Sequence, residues 1–173
     1  LTKKILKVDN IEFIPLKYDL NIDKKLVGIC IACSGSEKQW GKENYIKLIN
    51  FLIENNYDKF LLLSGKDQSD LEKEIISNYP DQIKFIETSK KSISEVIPNL
   101  KKCNFVIGND TGFSHLSVAY NKKTYVILGD CPPHTYSKLI TVIDKDEDIK
   151  RSIDSIKSIK LEKVLKYLNK SLI

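Results

Sequence analysis

Apolar residues recur along this chain in two alternating rhythms. Residues 26–33, Leu-Val-Gly-Ile-Cys-Ile-Ala-Cys, form an uncharged run, the pattern of a parallel strand covered on both faces. Tyr45, Leu48, Ile49, Leu52 and Ile53 then follow at helical spacing and predict a helix over 42–55. The alternation repeats, with a strand at 60–63 and a helix over 67–77 whose stripe is Leu71, Ile75 and Ile76. A third strand is predicted at 83–86. Ser92 and Glu95 have the spacing of a capping box, so a helix starts there and runs to about Lys101. A strand at 103–107, a short helix at 114–120 and strands at 124–128 and 139–143 complete the series.

Strands alternating with helices of this length imply parallel βαβ units. The predicted fold is therefore α/β, a Rossmann-like doubly wound parallel sheet of about six strands. Beyond Asp144 the rhythm changes. Ile149, Ile153, Ile156 and Ile159 mark one helical stripe, and Leu161, Val164, Leu165 and Leu168 mark another, with no strand after them. Residues 145–173 are predicted to be a helical tail packed on a ligand-binding domain of residues 26–144. Residues 1–25, irregular and carrying Pro15, read as a linker or the remnant of a preceding domain. The start, Leu1-Thr2-Lys3-Lys4, is neither an initiator methionine nor a signal peptide, so a longer parent chain is expected.

A length of 173 residues suits one such domain. With 42% hydrophobic and 29% charged residues, the composition is that of a globular protein rather than a disordered one. No apolar run approaches the ~20 residues of a membrane-spanning helix. The net charge of +5 rests on lysine, since Arg151 is the sole arginine. The lysines are dispersed, which argues against nucleic-acid binding and suits an anionic small substrate or loose peripheral contact with an anionic membrane surface. Cys30 and Cys33 form a C-x-x-C inside the first apolar run, where residues three apart face opposite ways. No second pair completes a zinc site. Cys30 and Cys33 are expected to be buried structural thiols of a reducing compartment, and free cysteines without a signal peptide make the cytoplasm the expected location.

In open parallel sheets ligands lie beyond the carboxyl ends of the strands. Three loops there carry chemistry. Gly108-Asn109-Asp110-Thr111-Gly112 runs into the helix holding His115, and free amides at that helix start make an anion site suited to a diphosphate. Thr111 adds a hydroxyl, and Asp110 a carboxylate able to grip sugar hydroxyls; the same residues also serve as ordinary helix caps. Ser34 to Trp40 offers Lys38 to a phosphate, with Trp40 as a packing anchor. Gly129 to His134 is stiffened by Pro132 and Pro133 on the same side. A His115–Asp110 dyad lacks any accompanying nucleophile motif, so ligand contact or a structural role at the helix start is expected of His115 rather than general-base work. The chain has no G-x-G-x-x-G after the first strand and no G-x-x-x-x-G-K-[ST], which argues against a dehydrogenase and a P-loop nucleotidase.

Lys38-Gln39-Trp40 after the first strand, and Val106-Ile-Gly-Asn-Asp-Thr-Gly-Phe-Ser-His-Leu-Ser-Val-Ala119, resemble the C-terminal domain of glycosyltransferase family 9, the bacterial heptosyltransferases of lipopolysaccharide synthesis. The resemblance covers roughly residues 26–143. It implies one half of a GT-B enzyme: a C-terminal domain that binds a nucleotide sugar, usually ADP-heptose, and an N-terminal domain that binds a glycolipid or saccharide acceptor and supplies the catalytic base. Carried over by position, Lys38, Thr111 and Gly112 would hold the diphosphate, and Asp110 and His115 would contact the sugar or its phosphate. Lys90 and Lys91 would lie near the base and Asp67 near the ribose. That scheme is an inverting displacement needing no metal and no further cofactor, and this chain alone is expected to bind donor without transferring it. Two departures lie along the presumed cleft: Ala32-Cys33-Ser34-Gly35 where the family often has a His-Pro-Gly-type segment, and Ser89 where glycine is usual. They leave open a UDP- or GDP-linked donor, an epimerase-like activity, or a non-catalytic interaction domain of the same fold.

Overall fold

A computed structural model of the protein describes residues 21–133 and 136–172. They form a six-stranded sheet in the order β3-β2-β1-β4-β5-β6, with every neighbouring pair parallel. The strands are β1 (Leu26–Cys30), β2 (Lys59–Leu63), β3 (Lys84–Glu87), β4 (Phe105–Asn109), β5 (Lys123–Leu128) and β6 (Ile140–Asp144). The helices are α1 (Lys42–Glu54), α2 (Ser69–Ile76), α3 (Ile93–Lys102), α4 (Gly112–Ala119) and α5 (Leu161–Leu172).

Side chains alternate across each strand, so the central strands feed two apolar layers. Val27, Ile29, Phe60, Leu62, Ile107 and Ile127 pack with α1, α2 and α5 on one face. Cys30, Leu61, Leu63 and Val106 pack with α3 on the other, where Phe113 and Leu116 of α4 join them. This is the doubly wound arrangement expected, and its order reverses between β1 and β4. The crevice outside that reversal is where such sheets hold ligands.

The capping box forms as expected: the Ser92 amide donates to Glu95 Oε2 at 2.8 Å. Three elements differ from the sequence pattern. The first strand ends at Cys30 rather than residue 33, because the amides of Ile31 and Ala32 both turn onto the one carbonyl of Leu63, each at 3.0 Å. The helix expected from residue 67 begins as a 3-10 turn, Lys66–Gln68, before α2.

The helical stripe at 149–159 is not a helix; only Ser155–Ser158 forms a 3-10 turn. Serines there satisfy the backbone locally and compete with helical bonding. The Ser152 amide donates to Ser155 Oγ at 2.7 Å, and Ser158 Oγ donates to the Ser155 carbonyl at 2.6 Å. Ile156 and Ile159 are still buried, in the same layer as α5, so the apolar stripe is used without helical geometry. Among the described residues, no helix is long and apolar enough to cross a membrane.

Candidate functional site

The glycine-rich loop after β4 is shaped by close backbone approach. Gly108 has φ +145, and a Cβ there would lie 2.1 Å from the Cys30 carbonyl oxygen, so only glycine lets β4 lie against β1 here. Asn109 is buried and bridges three segments. Its Oδ1 accepts from Tyr45 Oη at 2.6 Å, its Nδ2 donates to the Ala32 carbonyl at 3.1 Å, and its own carbonyl accepts from Ser114 Oγ at 2.7 Å.

Thr111 caps α4, its Oγ1 accepting from the Phe113 amide at 3.3 Å. The Ser114 and His115 amides go to the Thr111 carbonyl. The amides of Thr111 and Gly112 precede any intrahelical partner and stand at the positive end of the helix. A Cβ on Gly112 would meet nothing within 4 Å, so this second glycine is not required by packing. Thr111 Oγ1 also lies 3.0 Å from Cys30 Sγ. Burial pushes the Cys30 thiol up to about 11, so it stays protonated and unreactive.

A cleft of about 540 Å³ opens at the sheet's reversal point. Ala32, Cys33 and Ser34 line it from the β1 loop, Gly65, Asp67 and Gln68 from the β2 loop, and Asp110 to Phe113 from the β4 loop. Ile93 of α3, 61% exposed, and Phe113 and Leu116 of α4 give this end an apolar wall. A second compartment of about 290 Å³ shares Cys33, Ser34 and Asp110 with it and adds Lys38, Asp130 and Cys131. Ile153 and Ile156 of the C-terminal segment close its far side.

Charge is concentrated in that second compartment. Lys38 Nζ pairs with Asp130 Oδ2 at 2.8 Å. The pairing raises Lys38 above its ordinary value and lowers Asp130 below the usual carboxylate value. The loop bearing Asp130 is held by Arg151. Its guanidinium donates to Asp144 through two bonds of 3.0 and 2.6 Å, and to the Cys131 carbonyl at 2.6 Å.

Asp110 Oδ1 lies 3.3 Å from His115 Nε2, and His115 Nδ1 lies 2.6 Å from Tyr136 Oη. The imidazole thus presents Nε2 to the carboxylate and Nδ1 to the Tyr136 hydroxyl. Cys131 Sγ donates to Asp110 Oδ2 at 3.7 Å. The group orients a carboxylate at the join of the two compartments; among the described residues no three His, Cys, Asp or Glu side chains gather to hold a metal.

The structure thus brings Lys38, Asp67, Asp110, Thr111 and Gly112 to one continuous pair of cavities, with His115 directly behind Asp110. Lys90 and Lys91 are exposed on the β3–α3 loop and line neither compartment; the apolar Ile93 stands there instead. Cys33 is not the buried structural thiol expected: it is half-buried and lines both compartments, because the chain leaves the sheet at Cys30. Trp40 is the packing anchor expected, 1% exposed, donating from Nε1 to the Ile159 carbonyl at 2.7 Å. His134 lies outside the described residues. Asn109, Gln68, Asp130 and Arg151 are contributors that sequence reasoning did not single out for the site. Asn109 and Asp130 carried a local signal, by lying inside two of the three loops singled out; Gln68 and Arg151 carried none.

Known proteins are similar to this chain in sequence and in fold. Lipooligosaccharide heptosyltransferase 2 of Haemophilus influenzae is 26% identical over 115 residues, 64% of this chain and 33% of that protein. Its namesake from Campylobacter jejuni serotype O:2 is 31% identical over 110 residues, 61% of this chain and 34% of that protein. The chain therefore spans about a third of the length of the curated relatives it matches. Among solved structures, the E. coli ADP-heptose LPS heptosyltransferase II superposes with a TM-score of 0.71 at 20% identity, over 86% of this chain and 46% of that one. An E. coli heptosyltransferase with ADP-2-deoxy-2-fluoro heptose gives 0.69 at 19% identity, over 87% of this chain and 45% of that one. The family model for glycosyltransferase family 9 (heptosyltransferase) matches residues 3–163, beyond the stretch that the motifs alone cover, and this chain belongs to that family.

Proposed function

We propose that this chain is the donor-binding domain of an inverting glycosyltransferase that takes heptose from ADP-heptose and delivers it to a lipopolysaccharide-type acceptor. The observation that carries the reading is that the start of α4 lines the cleft. The Thr111 and Gly112 amides and the Asp110 carboxylate border one cleft at the point where the strand order reverses, with Lys38 in the adjoining compartment. Backbone amides and a lysine stabilise the charge that grows on a departing nucleoside diphosphate, and they need no reorganisation to do so.

In this reading Thr111, Gly112 and Lys38 hold the diphosphate, with Lys38 exchanging Asp130 for phosphate oxygens. Asp110, held in place by His115 and Cys131, accepts from sugar hydroxyls. Asp67 sits at the ribose, and the base lies against Ile93, Phe113 and Leu116 rather than beside Lys90 and Lys91. The acceptor and the base that activates it belong to the other half of the enzyme. ADP is favoured as the nucleotide because structural neighbours of this fold are described with ADP-heptose or an ADP-linked fluoro-heptose.

Calorimetric titration with ADP, UDP, GDP and CMP tests the reading, repeated with Lys38→Ala and Asp110→Ala. Selective ADP binding that weakens in Lys38→Ala supports it. Preference for another nucleotide keeps the donor-domain role and moves the sugar class. Absence of binding, by this chain and by an enzyme that also carries the acceptor domain, overturns it.

A further inference from the structure

Beyond the last paired residues of β2 and β3, Leu62 and Glu87, two loops continue toward the cleft. One carries Gly65, Asp67 and Gln68, and the other leads through Ser89 to Ile93; both supply cleft wall. A single carboxylate holds them together. Glu72, on α2 and 0% exposed, accepts at Oε1 from Ser64 Oγ at 2.7 Å and from the Thr88 amide at 2.8 Å. Its Oε2 accepts from Ser89 Oγ at 2.5 Å. Thr88 Oγ1 completes the brace, accepting from the Ser64 amide at 2.9 Å and donating to the Leu62 carbonyl at 2.6 Å.

Ser64, Thr88 and Ser89 are all buried, so each of these bonds forms away from water. A buried carboxylate is unfavourable unless its oxygens are satisfied, and here donors from two separate loops satisfy it. The same helix face buries Ile75 in the apolar layer, so packing alone would be served by an apolar residue at this position. The β2 loop is tied on to the β1 loop as well. Gln68 Oε1 accepts from the Gly65 amide at 3.1 Å, and Nε2 donates to the Cys33 carbonyl at 3.4 Å.

We propose that Glu72 is a positioning residue for the nucleoside end of the cleft. It fixes the loops 64–68 and 88–93 against each other, and so sets the separation between Asp67 on one side and Ile93 on the other. Glu72 lines neither compartment and acts only through these loops. The identity of the ligand rests on the donor-domain reading; the bracing does not.

The test compares wild type with Glu72→Ala, Glu72→Gln and Ser89→Ala in two measurements: calorimetric titration with ADP and with pyrophosphate, and amide hydrogen exchange. Glu72→Ala is expected to weaken ADP binding by about 10-fold or more, the scale of a lost charge-assisted hydrogen bond, while pyrophosphate binding at α4 stays unchanged. Glu72→Gln is expected to stay near wild type, since its oxygen still accepts from Ser64 and Thr88 and its amide can donate to Ser89. Faster exchange confined to 64–68 and 88–93 is expected in Glu72→Ala, and to 88–93 in Ser89→Ala, which serves if Glu72→Ala does not fold. Unchanged ADP affinity with unchanged exchange overturns the proposal, as does equal weakening of ADP and pyrophosphate. If wild type binds no ADP, the donor-domain reading fails, and the bracing is judged by exchange alone: no local acceleration overturns it.

Discussion

Tyr45 of α1 donates its phenolic hydrogen to Asn109 Oδ1 at 2.6 Å, joining a helix on one face of the sheet to the glycine loop at its carboxyl edge. Both groups are buried, and burial raises the Tyr45 phenol well above its ordinary range, so it remains a neutral donor at any physiological pH. Tyr45→Phe keeps the ring and its edge-on contact with Trp40 but strands the Asn109 oxygen. The expected cost is about 1–3 kcal/mol, that of a buried acceptor left unpaired. Denaturant unfolding with an unchanged m-value checks it. A change below about 0.5 kcal/mol, the range of neutral surface substitutions, would mean that Asn109 finds another donor.

Trp40 connects the loop after β1 to the C-terminal segment through its bond to the Ile159 carbonyl. It is the one tryptophan in the chain and is 1% exposed, so its emission is expected to be blue-shifted when folded and to move red on unfolding. Trp40→Phe removes the donor and leaves that carbonyl unpaired, with an expected loss of about 1–3 kcal/mol. Hydrogen exchange is expected to rise first in 155–168, since the segment carrying Ile159 and α5 loses its tie to the domain. Uniform loss of protection across the sheet would contradict a local tie.

The Lys38–Asp130 pair has a definite pH signature. Asp130 is lowered from 3.8 when folded, chiefly by its bond with Lys38, so its contribution is present above that value and is lost as pH falls through the depressed one. Lys38 is raised from 10.5, chiefly by the same bond, so its contribution is complete below that value and is lost as pH rises through the raised one. The pair therefore spans the whole physiological range. Asp130→Asn is expected to abolish the acid-side difference and return Lys38 toward its ordinary titration, read by NMR of the Asp130 carboxyl carbon and the Lys38 ε-methylene. An Asp130 that titrates at its ordinary value in the wild type would show the pair to be absent in solution.

Much of this molecule is legible in local pattern. The strands are short apolar runs because both faces of the sheet are covered, and the Ser92–Glu95 box is a bond between near neighbours in sequence. The glycine loop is legible for the same reason: Thr111 caps α4 with its own neighbours. What was illegible depends on distant partners. Nothing near Glu72 in the sequence marks it as buried, because Thr88 and Ser89 lie sixteen and seventeen positions away. The end of β1 at Cys30 is set by a carbonyl on β2, and the fate of 149–159 by serines whose side chains replace helical bonds. Asp130 meets Lys38 from across the sheet edge, in a β5 loop that Arg151 of the tail also bonds.

The two glycines that bracket the candidate anion site separate fold from function. Gly108 has φ +145, and any Cβ there would sit 2.1 Å from the Cys30 carbonyl oxygen and 2.7 Å from the Cys30 amide nitrogen. Both neighbours are backbone of the central strand pair and cannot give way. Gly108→Ala is therefore expected to cost about 4 kcal/mol or more, in the class of strained backbone positions. Gly112 has open space around its Cα and stands at the first turn of α4, where alanine is a good helix former. Gly112→Ala is expected to leave stability within about 0.5 kcal/mol of wild type. Its methyl group would nevertheless enter the cleft where a diphosphate meets the amides, so nucleotide binding is expected to fall by about 10-fold or more, the scale of a lost hydrogen bond to a charged group. Thermal unfolding and calorimetric titration of the two variants read stability and binding separately. A Gly112→Ala protein that is stable and binds ADP as wild type does would remove the α4 start from the diphosphate site, whatever the fate of Gly108→Ala.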